Sequence, residues 1–122
     1  MGKALEKTGR ETKTMNQYEI RWANLPVPIG RRPVLLLTRS SAYAYLNKVI
    51  VVEVTSTIRG IPQEVPLGKK EGLQHPSVAS MDNLHVIPKS LLGDRIGMVG
   101  SGREAEIKCA LGYALDWPEL KA

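Results

Sequence analysis

One cysteine, two histidines and no apolar run long enough to span a bilayer narrow what this 122-residue chain can be. A lone thiol at Cys109 cannot close an internal disulfide, which suits a reducing cytoplasm. One Cys and two His do not make a familiar zinc spacing, and the acids are too scattered for a carboxylate-bound magnesium site. A P-loop and a GxGxxG stretch are both missing, so nucleotide cradles have no support. The opening MGKALEKTGRETKTMN lacks the apolar centre and small-residue cleavage site of a secretory leader. Repeats, low-complexity tracts and interdomain linkers are absent too, and the length fits one domain with a core of its own. An enzyme built from this inventory is expected to need no metal or cofactor.

What is present is positive charge, unevenly placed. Between Ile20 and Gly60 stand Arg21, Arg31, Arg32, Arg39, Lys48 and Arg59 against the single acid Glu53, so this segment alone carries the +5 of the whole chain. A basic half in a small protein points to a polyanionic partner such as nucleic acid.

Residues 1–15 have no period and read as a flexible basic tail. Short apolar runs split by Pro and Gly then follow, the pattern of a small, strongly bent all-β domain. Strands are expected at YEIRWANL (18–25), RPVLLLT (32–38), KVIVVEVTS (48–56), VASMDNLHVI (78–87) and RIGMV (95–99). IPQEVPLG (61–68), with two prolines, suits an edge strand. SSAYAYLN and PKSLLG each have room for a helical turn. SGREAEIKCALGYALDW (101–117) predicts a helix, with Ser101 and Glu104 as a capping box and Ile107, Ala110, Leu111, Ala114 and Leu115 as one apolar stripe. Pro118 stops it, and residues 119–122 read as a short tail. In VIVVEVTST, Ile50, Val52 and Val54 share a face expected to be buried. Val51, Glu53, Thr55 and Thr57 share the other, which turns polar like the floor of a site.

RRPVLLLTR, VIVVEVTSTIRGIPQEVPLG, GL and SVASMDNLHVIPKSLLGDRIG, in that order and spacing, resemble the MazF/PemK family of toxin endoribonucleases, from about Tyr18 to Trp117. The resemblance implies an SH3-like, partly open β-barrel of the MazF/PemK/CcdB type, spanning 16–118, with a C-terminal helix and one or two short helices. It also implies a homodimer that cuts single-stranded RNA, leaving 2′,3′-cyclic phosphate and 5′-hydroxyl ends. A cognate MazE-like antitoxin would lay a disordered segment over the RNA groove. Carried across residue by residue, the family's catalytic pair is Arg32 and Thr55. Two departures stand out: NLPVPIGRRP is short where many members carry a longer glycine-rich loop, and Tyr18-Glu19 replaces the usual Gly-Asp.

Beside the resemblance, strand alternation points Glu53 the same way as Thr55, either as a base or as the group that orients an arginine. Arg31, Ser56, Thr57, Arg59, Asn83 and His85 are candidate RNA-binding residues: Arg31 and Arg59 for phosphates, Asn83 for a base edge, and His85 where many relatives carry Arg. Tyr18, Trp22, Tyr43 and Tyr45 are candidate stacking surfaces, with Trp22 expected in the core instead. His75, beside Pro76, is expected to do nothing chemical. Two alternatives fit the same barrel and charge: a toxin that poisons a DNA topoisomerase, and a non-catalytic RNA-binding module.

Overall fold

The structure is a computed structural model and describes residues 15–121. The expected tail at 1–15 lies outside these residues except for Met15, which is buried against the sheet. Strands β1 (Glu19–Asn24), β2 (Arg31–Leu36), β3 (Lys48–Thr55), β4 (Glu64–Leu67), β5 (Ser77–Pro88) and β6 (Leu92–Met98) form one six-stranded sheet in the order β4-β5-β3-β2-β1-β6. Every pairing is antiparallel, and the two end strands do not pair with each other, so the barrel stays partly open. Edge strand β4 carries Pro66, whose missing N–H costs a ladder nothing on that side. Single 3-10 turns lie at Ser40–Ala42 and Lys89–Leu91, where helical turns are expected, and also at Lys69–Glu71 and Ser101–Arg103.

The sheet buries both faces. On one side Ile20, Leu35, Val52, Val54, Val65 and Met81 meet helix α1 (Glu104–Leu115) through Ile107 and Ala110. On the other, Ala23, Val34, Leu36, Val49 and Val51 close around Tyr43. This corrects the one-sided reading of β3: Val51 is fully buried, whereas Ile50 is 39% exposed. Alternation is blurred because β2 and β3 run between two cores, and a strand covered on both sides reads as a continuous apolar run. Tyr43 is likewise core and offers no stacking surface.

The helix begins later than expected. Ser101–Arg103 form a 3-10 turn without a side-chain cap, so the Ser101/Glu104 capping box does not form. Glu104 instead takes the Tyr18 hydroxyl at 3.4 Å and Lys108 at 3.3 Å. Leu115 lies outside the buried stripe, 54% exposed. After Asp116, in the left-handed region at φ 52, Pro118–Lys121 make one further helical turn, α2, against α1.

One backbone contact positions the loop before β5. Gly97 lies so close to the Glu71 carbonyl that a Cβ would overlap it, and Gly72, at φ +91, sits against Ile96 and Gly97 in the same way. Glu71 in turn accepts the Gly68 N–H at 2.6 Å and meets Arg103 at 3.3 Å. Gly97→Ala is therefore expected to lower stability by about 1–3 kcal/mol, as overpacking does, measured by urea denaturation. A second expectation concerns alkali. Burial pushes the Tyr43 hydroxyl from 10.0 up to about 12. The neutral phenol is the form the core holds, so its contribution is complete below the unfolded value and fades as pH climbs from 10.0 towards about 12. Denaturation midpoints across that range should fall less steeply in Tyr43→Phe.

Candidate active site

Arg32 stands at the mouth of β2 because the next residues anchor it. Val34, Leu35 and Leu36 are fully buried, and Pro33 has no N–H to offer a neighbour. In the β2–β3 ladder Val34 faces Glu53, and Leu36 faces Val51. Continuing that register by two residues sets Arg32 opposite Thr55. In the β3–β5 ladder Val51 faces His85. Cross-strand partners share a face, so Arg32, Glu53, Thr55 and His85 all belong to one side of the sheet.

The side chains use this arrangement. Arg32 Nη1 donates to Glu53 Oε1 at 3.0 Å, and His85 Nε2 lies 2.7 Å from Glu53 Oε2. Both Glu53 oxygens are therefore engaged, on a side chain only 9% exposed, while Arg32 keeps 36% of its own surface open. A break in register assists this: Val52 pairs with Leu84 but Glu53 pairs with Ser80, so Met81–Asn83 bulge from β5. Thr55 Oγ1 accepts the Thr57 N–H at 3.1 Å, and a hydroxyl that accepts there still has its proton to donate.

Arg32 and Thr55 line one open groove of about 670 Å³, together with Arg31 and Ser56. Its remaining walls come from Trp22, from the Gly72–Ser77 segment including His75, and from Asp94, Arg95 and Ile96 on β6. Trp22 is thus a groove wall, not core, and carries the Arg31 guanidinium 4.1 Å from its ring centroid, a cation–π contact. Thr57, Arg59, Asn83 and His85 do not line this groove. Asn83 donates to Ser80 within the bulge at 3.1 Å, and Arg59 gives its backbone N–H to Glu64. Among the described residues no three His, Cys, Asp or Glu side chains are grouped to hold a metal ion.

Sequence reasoning did not place His75 and Arg95 at the groove that they line. Neither belongs to a periodic pattern that would announce it. The signal is topological: Thr55 pairs with Val78, so the residues just before Val78 run past the end of β3. Arg95 likewise pairs with Arg21 on β1, which carries the groove's Trp22.

A family profile of PemK-like, MazF-like toxins of type II toxin–antitoxin systems matches residues 16–115. The chain belongs to that family. The curated relative endoribonuclease MazF3 of Mycobacterium tuberculosis is 43% identical over 88 residues, covering 70% of this chain and 85% of the relative. Among solved structures, the M. tuberculosis toxin MazF-mt6 matches with a TM-score of 0.76 at 40% identity, over 80% of this chain and 96% of that one. A mycobacterial endoribonuclease solved with its cognate antitoxin matches with a TM-score of 0.73 at 27% identity, over 85% of this chain and 97% of that one.

The doubly engaged Glu53 should be felt in stability. Glu53→Gln keeps the shape but removes the charge that Arg32 and His85 face, and is expected to cost about 1–3 kcal/mol in urea denaturation. Removing Arg32 as well should add less than its separate effect, since the two share one interaction.

Proposed function

We propose that this MazF-family toxin cuts single-stranded RNA selectively and without a metal ion, by attack of the substrate's own 2′-hydroxyl. The activity class, toxin endoribonuclease of a toxin–antitoxin system, comes with family membership. The observation that carries the finer reading is that Arg32 and Thr55, from the ends of the adjacent strands β2 and β3, line one groove. In this reaction the 2′-oxygen bonds to phosphorus, negative charge grows on the non-bridging oxygens, and the 5′-oxygen leaves. The products are a 2′,3′-cyclic phosphate and a 5′-hydroxyl. The nucleophile belongs to the RNA, so the chemistry does not require a metal-bound water.

Arg32 supplies a planar fork of donors suited to a phosphate with rising charge. Thr55 holds a non-bridging oxygen or orients the 2′-hydroxyl through its own. Glu53 positions the Arg32 guanidinium, and His85 positions Glu53 from the other side. Arg31 over Trp22 offers a phosphate contact beside a stacking face, and Ser56 a further hydroxyl. The cognate antitoxin is expected to compete for this cationic groove. A second copy of the chain would find apolar surface in Ile50 and Val86, cross-strand partners on β3 and β5, and in Leu84 two residues along β5, all of which stand exposed.

Incubating the protein with long single-stranded and structured transcripts in EDTA, then mapping the new 5′ ends, tests the reading. Cuts confined to unpaired RNA, with 5′-hydroxyl ends, are expected. Arg32→Ala should lower kcat by roughly 10²–10³-fold, the usual effect of deleting one transition-state donor, and Thr55→Ala should also abolish efficient cutting. Binding of an RNA blocked with 2′-O-methyl groups should survive Thr55→Ala and weaken with added salt. Absence of cleavage in EDTA at every salt concentration would defeat the proposal.

A further inference from the structure

Proton transfer is the part of this reaction that Arg32, Thr55 and Glu53 leave unassigned. Attack by the 2′-hydroxyl releases a proton, and an arginine does not accept one. Both Glu53 oxygens are already engaged, at 3.0 Å and 2.7 Å, and Glu53 does not line the groove. His85 is committed to Glu53.

His75 is different. It lines the groove with Arg32 and Thr55, and among the described lining residues it alone has a side chain of the type that exchanges a proton near neutral pH. Its place follows from the topology, three residues before Val78, the cross-strand partner of Thr55. Its segment is also fixed. Gly72 sits against Ile96 and Gly97 at the near end, and the Ser77 hydroxyl donates to the His75 carbonyl at 3.0 Å. The imidazole itself is exposed and has no hydrogen-bond or ion-pair partner among the described residues. Around the same groove stand Arg31 and Arg32 from β2 and Arg95 from β6, with Asp94 the one carboxylate. Carboxylates as a class titrate near 4 and are weak bases at neutral pH, where an imidazole is best matched.

We propose that His75 is the general base of this toxin, an assignment that rests on the ribonuclease reading above. Its imidazole takes the 2′-hydroxyl proton as the 2′-oxygen bonds to phosphorus. The bond from phosphorus to the 5′-oxygen breaks. That oxygen leaves with the electron pair and is protonated by water, while Arg32 and Thr55 hold the non-bridging oxygens. The imidazolium returns its proton to solvent.

The test uses the full chain and a short RNA built around one mapped cut. For the unmodified protein, kcat/KM is expected to rise about tenfold per pH unit along an acid limb and then level off, as catalysis by a single base requires. His75→Gln should lose that acid limb and fall by roughly 10²–10⁴-fold at neutral pH. Its affinity for the 2′-O-methyl-blocked RNA should stay within about twofold. Added imidazole should restore part of the rate in proportion to its unprotonated form. Asp94→Asn and His85→Gln should keep the limb, whatever their effect on its height. A substrate with sulfur in place of the 5′-oxygen needs no proton on departure, so the His75→Gln loss should persist there. Recovery on that substrate would make His75 the acid and overturn the assignment. A limb unchanged in His75→Gln, with cutting within about threefold of the unmodified protein, would overturn it and leave the ribonuclease reading standing. An unmodified protein that cuts no RNA would defeat both.

Discussion

Glu53 sits on β3, an interior strand of the sheet, with its side chain only 9% exposed, and a carboxylate there is tolerated only with partners. It has one on each flank, Arg32 from β2 and His85 from β5. Those strands are the two neighbours of β3, so the interaction ties the centre of the sheet across its width. It also explains why arginine opens a strand as apolar as Val34-Leu35-Leu36. The guanidinium is held by a buried anion on one side and left open to the groove on the other. A positioned cation of this kind, borne by a rigid strand end, suits recognition of a phosphate better than one on a free loop.

The rest of the groove is assembled by adjacency between distant parts of the chain. The bulge at Met81–Asn83 shifts β5 past β3, which sets Val78 beside Thr55 and carries the preceding loop over the end of the strand. The near approach of Gly72 and Gly97 pins that loop to β6, and β6 pairs with β1, where Trp22 carries Arg31. Three arginines then face a single carboxylate in one cavity. In the proposed function, an RNA backbone would meet the same sign of charge on several walls, with the hydroxyls of Thr55 and Ser56 available for shorter-range contacts.

Much of this was readable before the structure. The six strands, the edge position of Pro66 and the C-terminal helix all follow from β-branched runs, proline placement and helical spacing. Arg32 and Thr55 were found by motif, and strand alternation placed Glu53 on their side. Where reading failed, the causes are physical. Val51 is buried because a second core covers the far face, and single-strand alternation does not register what lies above a sheet. Tyr43 fills that core. The Ser101/Glu104 pattern lost its cap when a 3-10 turn took the helix start and Glu104 met Tyr18, a residue 86 positions away.

The local chemistry of the chain was thus written in its order of residues: which stretches extend, where proline forbids a ladder bond, and which side of β3 turns polar. Backbone sterics and apolar periodicity act over a few neighbours, and a sequence displays them directly. Which of two faces is covered, whether Trp22 serves core or groove, and that His75 stands with Arg32 and Thr55 were decided only by folding. Those outcomes depend on inter-strand register and on one register break, quantities that belong to pairs of distant segments and to neither segment alone.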